Sequence, residues 1–181
     1  MTGFTWEEGR GGILKEAVQY SSPNFDARPE GSSISLAVIH FISLPPNVFG
    51  GDDVLALFSN TLDPNADSFY PEIVHLRVSA HFFIRRTGEL VQLVPCDQRA
   101  WHAGLSSWKG QQRCNDFSIG IELEGCGTVP FEGEQYETLV TLIRTLKARY
   151  PIQDVVGHEH IAPGRKDDPG PCFDWACLAG I

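Results

Sequence analysis

The chain has 181 residues, 42% hydrophobic and 20% charged, with a formal net charge of −9 at pH 7. That length fits one domain burying roughly 70% of its unfolded surface, so a core needs neither disulfides nor a structural metal. The acidic balance argues against a nucleic-acid partner and against docking on an anionic membrane, and no apolar run approaches the ~20 residues that span a bilayer.

The opening "MTGFTWEEGR" lacks a basic segment followed by an apolar one, so no secretory signal is expected. Cys96, Cys114, Cys126, Cys172 and Cys177 form an odd set without CxxC pairing. Small buried thiols in a reducing compartment are expected, rather than a disulfide framework or a zinc ribbon.

"SISLAVIHFISL" (33–44) is almost continuously apolar and branched, which predicts a central strand covered on both faces. "PPNVFGGDD" breaks it. A helix follows over "DDVLALFSNTL", with Asp52 or Asp53 as N-cap and Val54, Leu55, Phe58 and Leu62 at helical spacing. "VSAHFFIRRTGELVQLVP" (78–95) reads as strand, turn at Thr87-Gly88, strand. "DQRAWHAGLSSWKGQQRCND" (97–116) reads as a long irregular connection, a type that often carries function.

"FSIGIELEG" (117–125) alternates with period two. Phe117, Ile119, Ile121 and Leu123 share one face; Ser118, Gly120, Glu122 and Glu124 share the other. "EQYETLVTLIRTLKARY" (134–150) is the strongest helix, with Tyr136, Leu139, Val140, Ile143, Leu146 and Tyr150 as its apolar stripe and Pro151 after its end. Its start is weakly signalled, since Gly133 is only a moderate cap. "QDVVGH" reads as a short strand and "DWACLAGI" as a last helical turn. Hairpins mixed with crossovers predict a single α/β domain over 1–181, a central mixed β-sheet flanked by helices.

The chemistry concentrates in "GHEHIAPGRKDDPGP" (157–171), whose glycines and prolines exclude a regular helix. His40 ends the central strand, His158 ends the short late strand, and Asp168 closes the loop. A catalytic zinc site takes three ligands of His or carboxylate type and leaves a fourth position open. The bland alternatives are hydrogen-bonded core histidines and a plain turn aspartate. Glu122 sits mid-strand between Ile121 and Leu123, where a carboxylate is costly unless paired or used. Gly120 on the same face clears space for something bulky. Glu122 is a candidate general base; an exposed edge-strand glutamate is the alternative, and Glu124 is its rival. Lys166 is a candidate oxyanion partner or a solvated loop lysine.

A resemblance then follows from "VIHFISLPPNVFGG", "LDPNADSFY", "HLRVSAHFFIRRTGE", "RAWHAGLSSWKGQQRCNDFSIGIELEG" and "GHEHIAPGRKDDPGPCFDW". Running from about residue 21 to 176, these stretches closely resemble the AmpD-type amidases of 1,6-anhydro-muropeptides. Those belong to the zinc amidase group that includes T7 lysozyme and the peptidoglycan recognition proteins.

The resemblance implies that fold, with one zinc ion held by His40, His158 and Asp168. It implies Glu122 as the base that activates the attacking water and Lys166 as oxyanion partner. Arg77, Trp101, Arg113, Leu123 and Ala162 match positions that line the substrate cleft. It further implies a cytoplasmic bacterial enzyme, a monomer with a small muropeptide substrate, which cuts the lactyl–L-Ala amide in cell-wall recycling. In relatives that activity also affects β-lactamase induction. The alternatives are a non-catalytic muropeptide-binding module of the same fold, and an amidase acting on intact peptidoglycan.

The chain departs from the family pattern at Phe41, in the substrate cleft where relatives usually carry asparagine. Glu159 and His160 replace smaller or less basic residues. On extended backbone His160 would share the metal-facing side, as a spare ligand or a partner holding Asp168 or the substrate carboxylate; the alternative is an exposed imidazole.

Overall fold

The computed structural model describes residues 3–181. The strands are β1 Val18–Gln19, β2 Phe25–Ala27, β3 Leu36–Ile42, β4 Phe82–Ile84, β5 Leu90–Gln92, β6 Gln98–Ala100, β7 Ser107–Trp108, β8 Gln111–Gln112, β9 Ser118–Glu124 and β10 Asp154–Gly157. The α-helices are α1 Asp53–Phe58, α2 Tyr70–Ile73, α3 Gly133–Arg149 and α4 His158–Ile161.

A six-stranded mixed sheet runs in the order β1-β5-β4-β9-β3-β10. Only the β4–β5 hairpin is antiparallel within it. The run predicted as a central strand forms β3, between β9 and β10, with both faces covered over most of its length. β3 and β9 pair so that His40 lies opposite Glu122. Paired residues point to the same face of a sheet, so one register places a candidate ligand beside a candidate base.

Helix α3 covers one sheet face. Leu139, Leu142, Ile143 and Leu146 pack with Ile39, Phe82, Ile119, Ile121 and Leu123. Each of those four helix side chains gains about 1.5–3 kcal/mol from full burial, which anchors the sheet behind the site. Within the predicted stripe Val140 is only half-buried, and Leu142 takes its place in the core. Helices α1 and α2 cover part of the opposite face, over Phe83 and Val91.

The structure differs from the sequence reading in several places. The cap of α3 is Glu132 rather than Gly133, and the Glu132 N–H donates to Gln135 Oε1 at 3.1 Å. Asp52 occupies the N-cap of α1 but makes no capping bond; its carboxylate instead accepts from Arg85 Nη2 at 2.5 Å. The connection 97–116 is not irregular throughout: β6 pairs with β2, and β7 with β8 in a small hairpin. His158 does not end β10 but opens the single turn of α4. The folded core also reaches before residue 21: Leu14 is fully buried and β1 extends the sheet. The closing segment does form a helical turn, a 3-10 turn at Trp175–Leu178.

Candidate metal centre and active site

Strand β3 delivers His40, itself buried, two residues before the strand's half-buried C-terminal end. The α4 turn delivers His158, and the loop after α4 returns Asp168. Nδ1 of His40, Nδ1 of His158 and Oδ2 of Asp168 form a triangle with edges of 3.0, 2.9 and 3.2 Å. All three residues are buried, and together they form a group able to hold a metal ion. A small divalent ion bound tetrahedrally at about 2.0–2.1 Å sets its donor atoms about 3.3 Å apart, close to this triangle.

The hydrogen bonds on the far side of the rings decide what the triangle can be. His158 Nε2 lies 3.1 Å from the Ala103 carbonyl oxygen, which can only accept. The proton of neutral His158 therefore sits on Nε2, and Nδ1 presents a lone pair to Asp168. His40 Nε2 lies 2.9 Å from His102 Nδ1, which can take its proton in the same way. Three lone-pair donors crowded around one point repel unless a cation sits among them. Burial holds the His40 imidazole below its ordinary pKa, so a neutral, metal-ready ring is favoured.

Glu122 is 8% exposed, and its Oε2 has no hydrogen-bond partner. Burial, then the negative charge of Asp168, push its carboxyl well above the usual range; Lys166 pulls it partly back. The exposed-edge alternative thus fails, because β9 is an inner strand. The rival Glu124 is fully employed: Oε1 accepts from the Gly50 N–H at 2.5 Å and Oε2 from the Arg86 N–H at 2.9 Å. Glu124 fastens two loops, whereas Glu122 has a free oxygen suited to proton transfer.

A cleft of about 420 Å³ opens on this group, lined by His40, Phe41, Trp101, His102, Glu122, Cys126, Lys166 and Asp168 among others. Arg77 is exposed, between the cleft-lining Leu76 and Val78, and its Nη1 donates to the Val74 and Leu76 carbonyls at 3.3 and 3.1 Å. Arg113 and Ala162 do not line that cleft but a second hollow of about 430 Å³, shared with Gln112 and Arg165. Leu123 is fully buried in the core beneath α3, so its side chain cannot touch a ligand in the cleft. Its period-two position already put it on the face opposite Glu122.

His160 is turned away from the metal group. In the helical turn its Nδ1 accepts the Gly157 N–H at 2.8 Å, and its ring rests 5.4 Å from that of Trp175. The spare-ligand and Asp168-partner readings fail because the backbone there is helical, not extended. The residue that the sequence reading missed is His102. The signal was Gly120: a Cβ there would lie 2.4 Å from the His102 ring. The bulky group for which Gly120 clears space is this imidazole.

A buried His-His-Asp group beside an orphaned carboxylate, on the rim of a mixed sheet, defines a metal-centre hydrolase site. The chain belongs to the N-acetylmuramoyl-L-alanine amidase family, whose signature matches residues 30–171. Within that family it is similar to the 1,6-anhydro-N-acetylmuramyl-L-alanine amidase AmpD of Salmonella typhimurium (strain SL1344). The two are 56% identical over 166 residues, 91% of this chain and 89% of the relative. The crystal structure of a selenomethionine AmpD derivative matches with a TM-score of 0.92 at 53% identity, covering 96% of this chain and 97% of that one. The Escherichia coli amidase AmiD, in complex with the substrate anhydro-N-acetylmuramic acid-L-Ala-D-γ-Glu-L-Lys, matches with a TM-score of 0.60 at 33% identity, covering 98% and 65%.

Proposed function

We propose that this chain is a zinc-dependent amidase that cleaves the bond between the lactyl group of 1,6-anhydro-N-acetylmuramic acid and L-Ala of the stem peptide. The observation that carries the reading is the free Oε2 of Glu122, buried in the same cleft as a three-donor metal group. His40, His158 and Asp168 would hold the ion, and their donor set of two imidazoles and one carboxylate suits zinc. Bound zinc supplies Lewis acidity, polarising the amide carbonyl and lowering the pKa of water.

Glu122 takes the proton from the attacking water as its oxygen adds to the lactyl carbonyl carbon. It then returns that proton to the L-Ala nitrogen as the C–N bond breaks. The raised proton affinity of Glu122 suits both halves of this shuttle. Lys166 lines the same cleft and would face the negative charge that develops on the carbonyl oxygen. Phe41 and Trp101 offer apolar walls to the sugar, and the exposed Arg77 beside the cleft offers a guanidinium group to a stem-peptide carboxylate.

A complete donor set together with an unpaired base favours catalysis over mere muropeptide binding. The same reading makes the protein a cytoplasmic monomer in cell-wall recycling. Supporting it are the five cysteines, all free thiols, and the acidic net charge of −9. No helix among the described residues is long and apolar enough to cross a membrane. The test offers purified 1,6-anhydro-muropeptide and intact sacculi separately, with and without a chelator. Chelator-sensitive peptide release from the anhydro fragment, far exceeding release from sacculi, is expected. Equal release from both would overturn the substrate assignment.

A further inference from the structure

We infer that Asn115 is a positioning residue of the metal centre, because its one side-chain oxygen fixes the peptide segment that aims both histidine ligands. The inference rests on the proposed metal centre.

His40 and His158 lie 118 residues apart in the chain. Their outer ring nitrogens nevertheless meet neighbouring residues of one loop. His40 Nε2 meets His102 Nδ1 at 2.9 Å, and His158 Nε2 meets the Ala103 carbonyl at 3.1 Å. Any shift of the 102–103 segment would turn both imidazoles, and with them both Nδ1 donors. No strand or helix holds that segment. Its two N–H groups instead converge on Asn115 Oδ1, at 3.1 Å from His102 and 2.8 Å from Ala103.

Asn115 is itself anchored. It lies in the 3-10 turn Cys114–Asp116, and its carbonyl accepts from Arg28 Nη1 at 3.1 Å. The same guanidinium donates to Asp116 O at 3.2 Å and to Ser118 O at 2.8 Å, tying the turn to the start of β9. A second strap acts from outside: Arg165 Nη2 donates to the Ala103 and Leu105 carbonyls at 2.9 and 2.6 Å. Backbone N–H groups removed from water need an acceptor. Here one amide oxygen meets that need and transmits the turn's rigidity to both ligands. Partners that orient metal-bound imidazoles typically matter by about 10–100-fold in metal affinity or activity.

The test compares the wild type, Asn115→Ala and Asn115→Asp. Zinc affinity is measured by competition with a chromophoric chelator. Metal-free samples are examined by thermal unfolding and by long-range 1H–15N NMR of the histidine rings. Asn115→Asp keeps an acceptor in place and should bind zinc within about threefold of the wild type, below the range for a lost orienting partner. Asn115→Ala should fold but bind about 10–100-fold more weakly. The NMR should show a single Nε2–H tautomer for His158 in the wild type and Asn115→Asp, and averaged tautomers in Asn115→Ala. Wild-type affinity in Asn115→Ala would overturn the inference. So would equal losses in the two variants, or an Asn115→Ala chain that cannot fold without metal, which would make Asn115 a determinant of the fold instead. A wild-type protein that binds no zinc would instead defeat the proposed metal centre itself.

Discussion

Replacing Glu122 by glutamine separates what this side chain does for catalysis from what it costs the fold. Glutamine keeps the shape and loses the proton acceptor. Turnover should fall by about 10²–10⁴-fold, the usual contribution of a general base, which corresponds to about 2.7–5.4 kcal/mol of barrier at 1.36 kcal/mol per decade. Zinc binding should persist, because the three donor atoms are untouched.

The metal-free protein should respond in the opposite direction. Burial raises the Glu122 pKa in the folded chain. Between the ordinary carboxylate range and that raised value, the folded chain holds a proton that the unfolded chain has released. The contribution of Glu122 to stability is therefore largest at low pH and falls as pH rises, by about 1.4 kcal/mol per pH unit within that window. Glutamine removes this slope. At pH 7 the metal-free Glu122→Gln protein should be more stable than the metal-free wild type by at most about 3–4 kcal/mol, about 1.4 kcal/mol for each pH unit between the ordinary glutamate range and pH 7. For a chain of this length that is about 2–4 °C of melting temperature per kcal/mol. The assay is thermal unfolding of chelator-stripped protein at pH 5 and pH 8, with turnover measured on the zinc-loaded form. A wild-type protein no less stable than Glu122→Gln at pH 8, or a turnover loss below tenfold, would refute the reasoning.

Glu124→Gln should behave in reverse: turnover changes little, while the fold loses about 1–3 kcal/mol because a carboxylate bonded to two loop N–H groups is gone; chemical denaturation and a rate assay check both. His40→Ala and His158→Ala should each abolish hydrolysis by abolishing zinc binding, and full zinc occupancy by metal analysis in either variant would contradict the ligand assignment. His160→Asn should leave zinc affinity and turnover within about twofold, below the range for a lost orienting partner, because its ring serves Gly157 and Trp175 rather than the metal group. A zinc affinity that collapses as in His158→Ala would reopen the Asp168 assignment.

The elements legible in the sequence were those whose burial is set by their own residues. The unbroken apolar run of β3 declared an inner strand, and the spacing of Leu139, Ile143 and Leu146 declared α3. Glu122 declared itself as a charge set among apolar neighbours. What depended on distant partners was illegible. β6 contains Gln98 and Arg99, and β8 is Gln111-Gln112; neither has an apolar pattern, because each is specified by pairing with β2 or β7. The glycines and prolines of 157–171 excluded a regular helix, yet the four residues between Gly157 and Ala162 are enough for one helical turn. That turn, and not an extended backbone, sets the direction of His160. His102 was hidden for a related reason: its role is defined by Gly120 and His40, both remote in the chain. Gly120 gave the outline of the missing group without naming it.

The central claim is that zinc on His40, His158 and Asp168, with Glu122 as base, cuts the lactyl–L-Ala amide. Titrating zinc into chelator-stripped protein while following stem-peptide release from a defined 1,6-anhydro-muropeptide tests it most directly. Activity should rise in proportion to added zinc and level off at one ion per chain, and the released peptide should carry a free L-Ala amine. Full activity before any zinc is added, or cleavage at another bond, would contradict it.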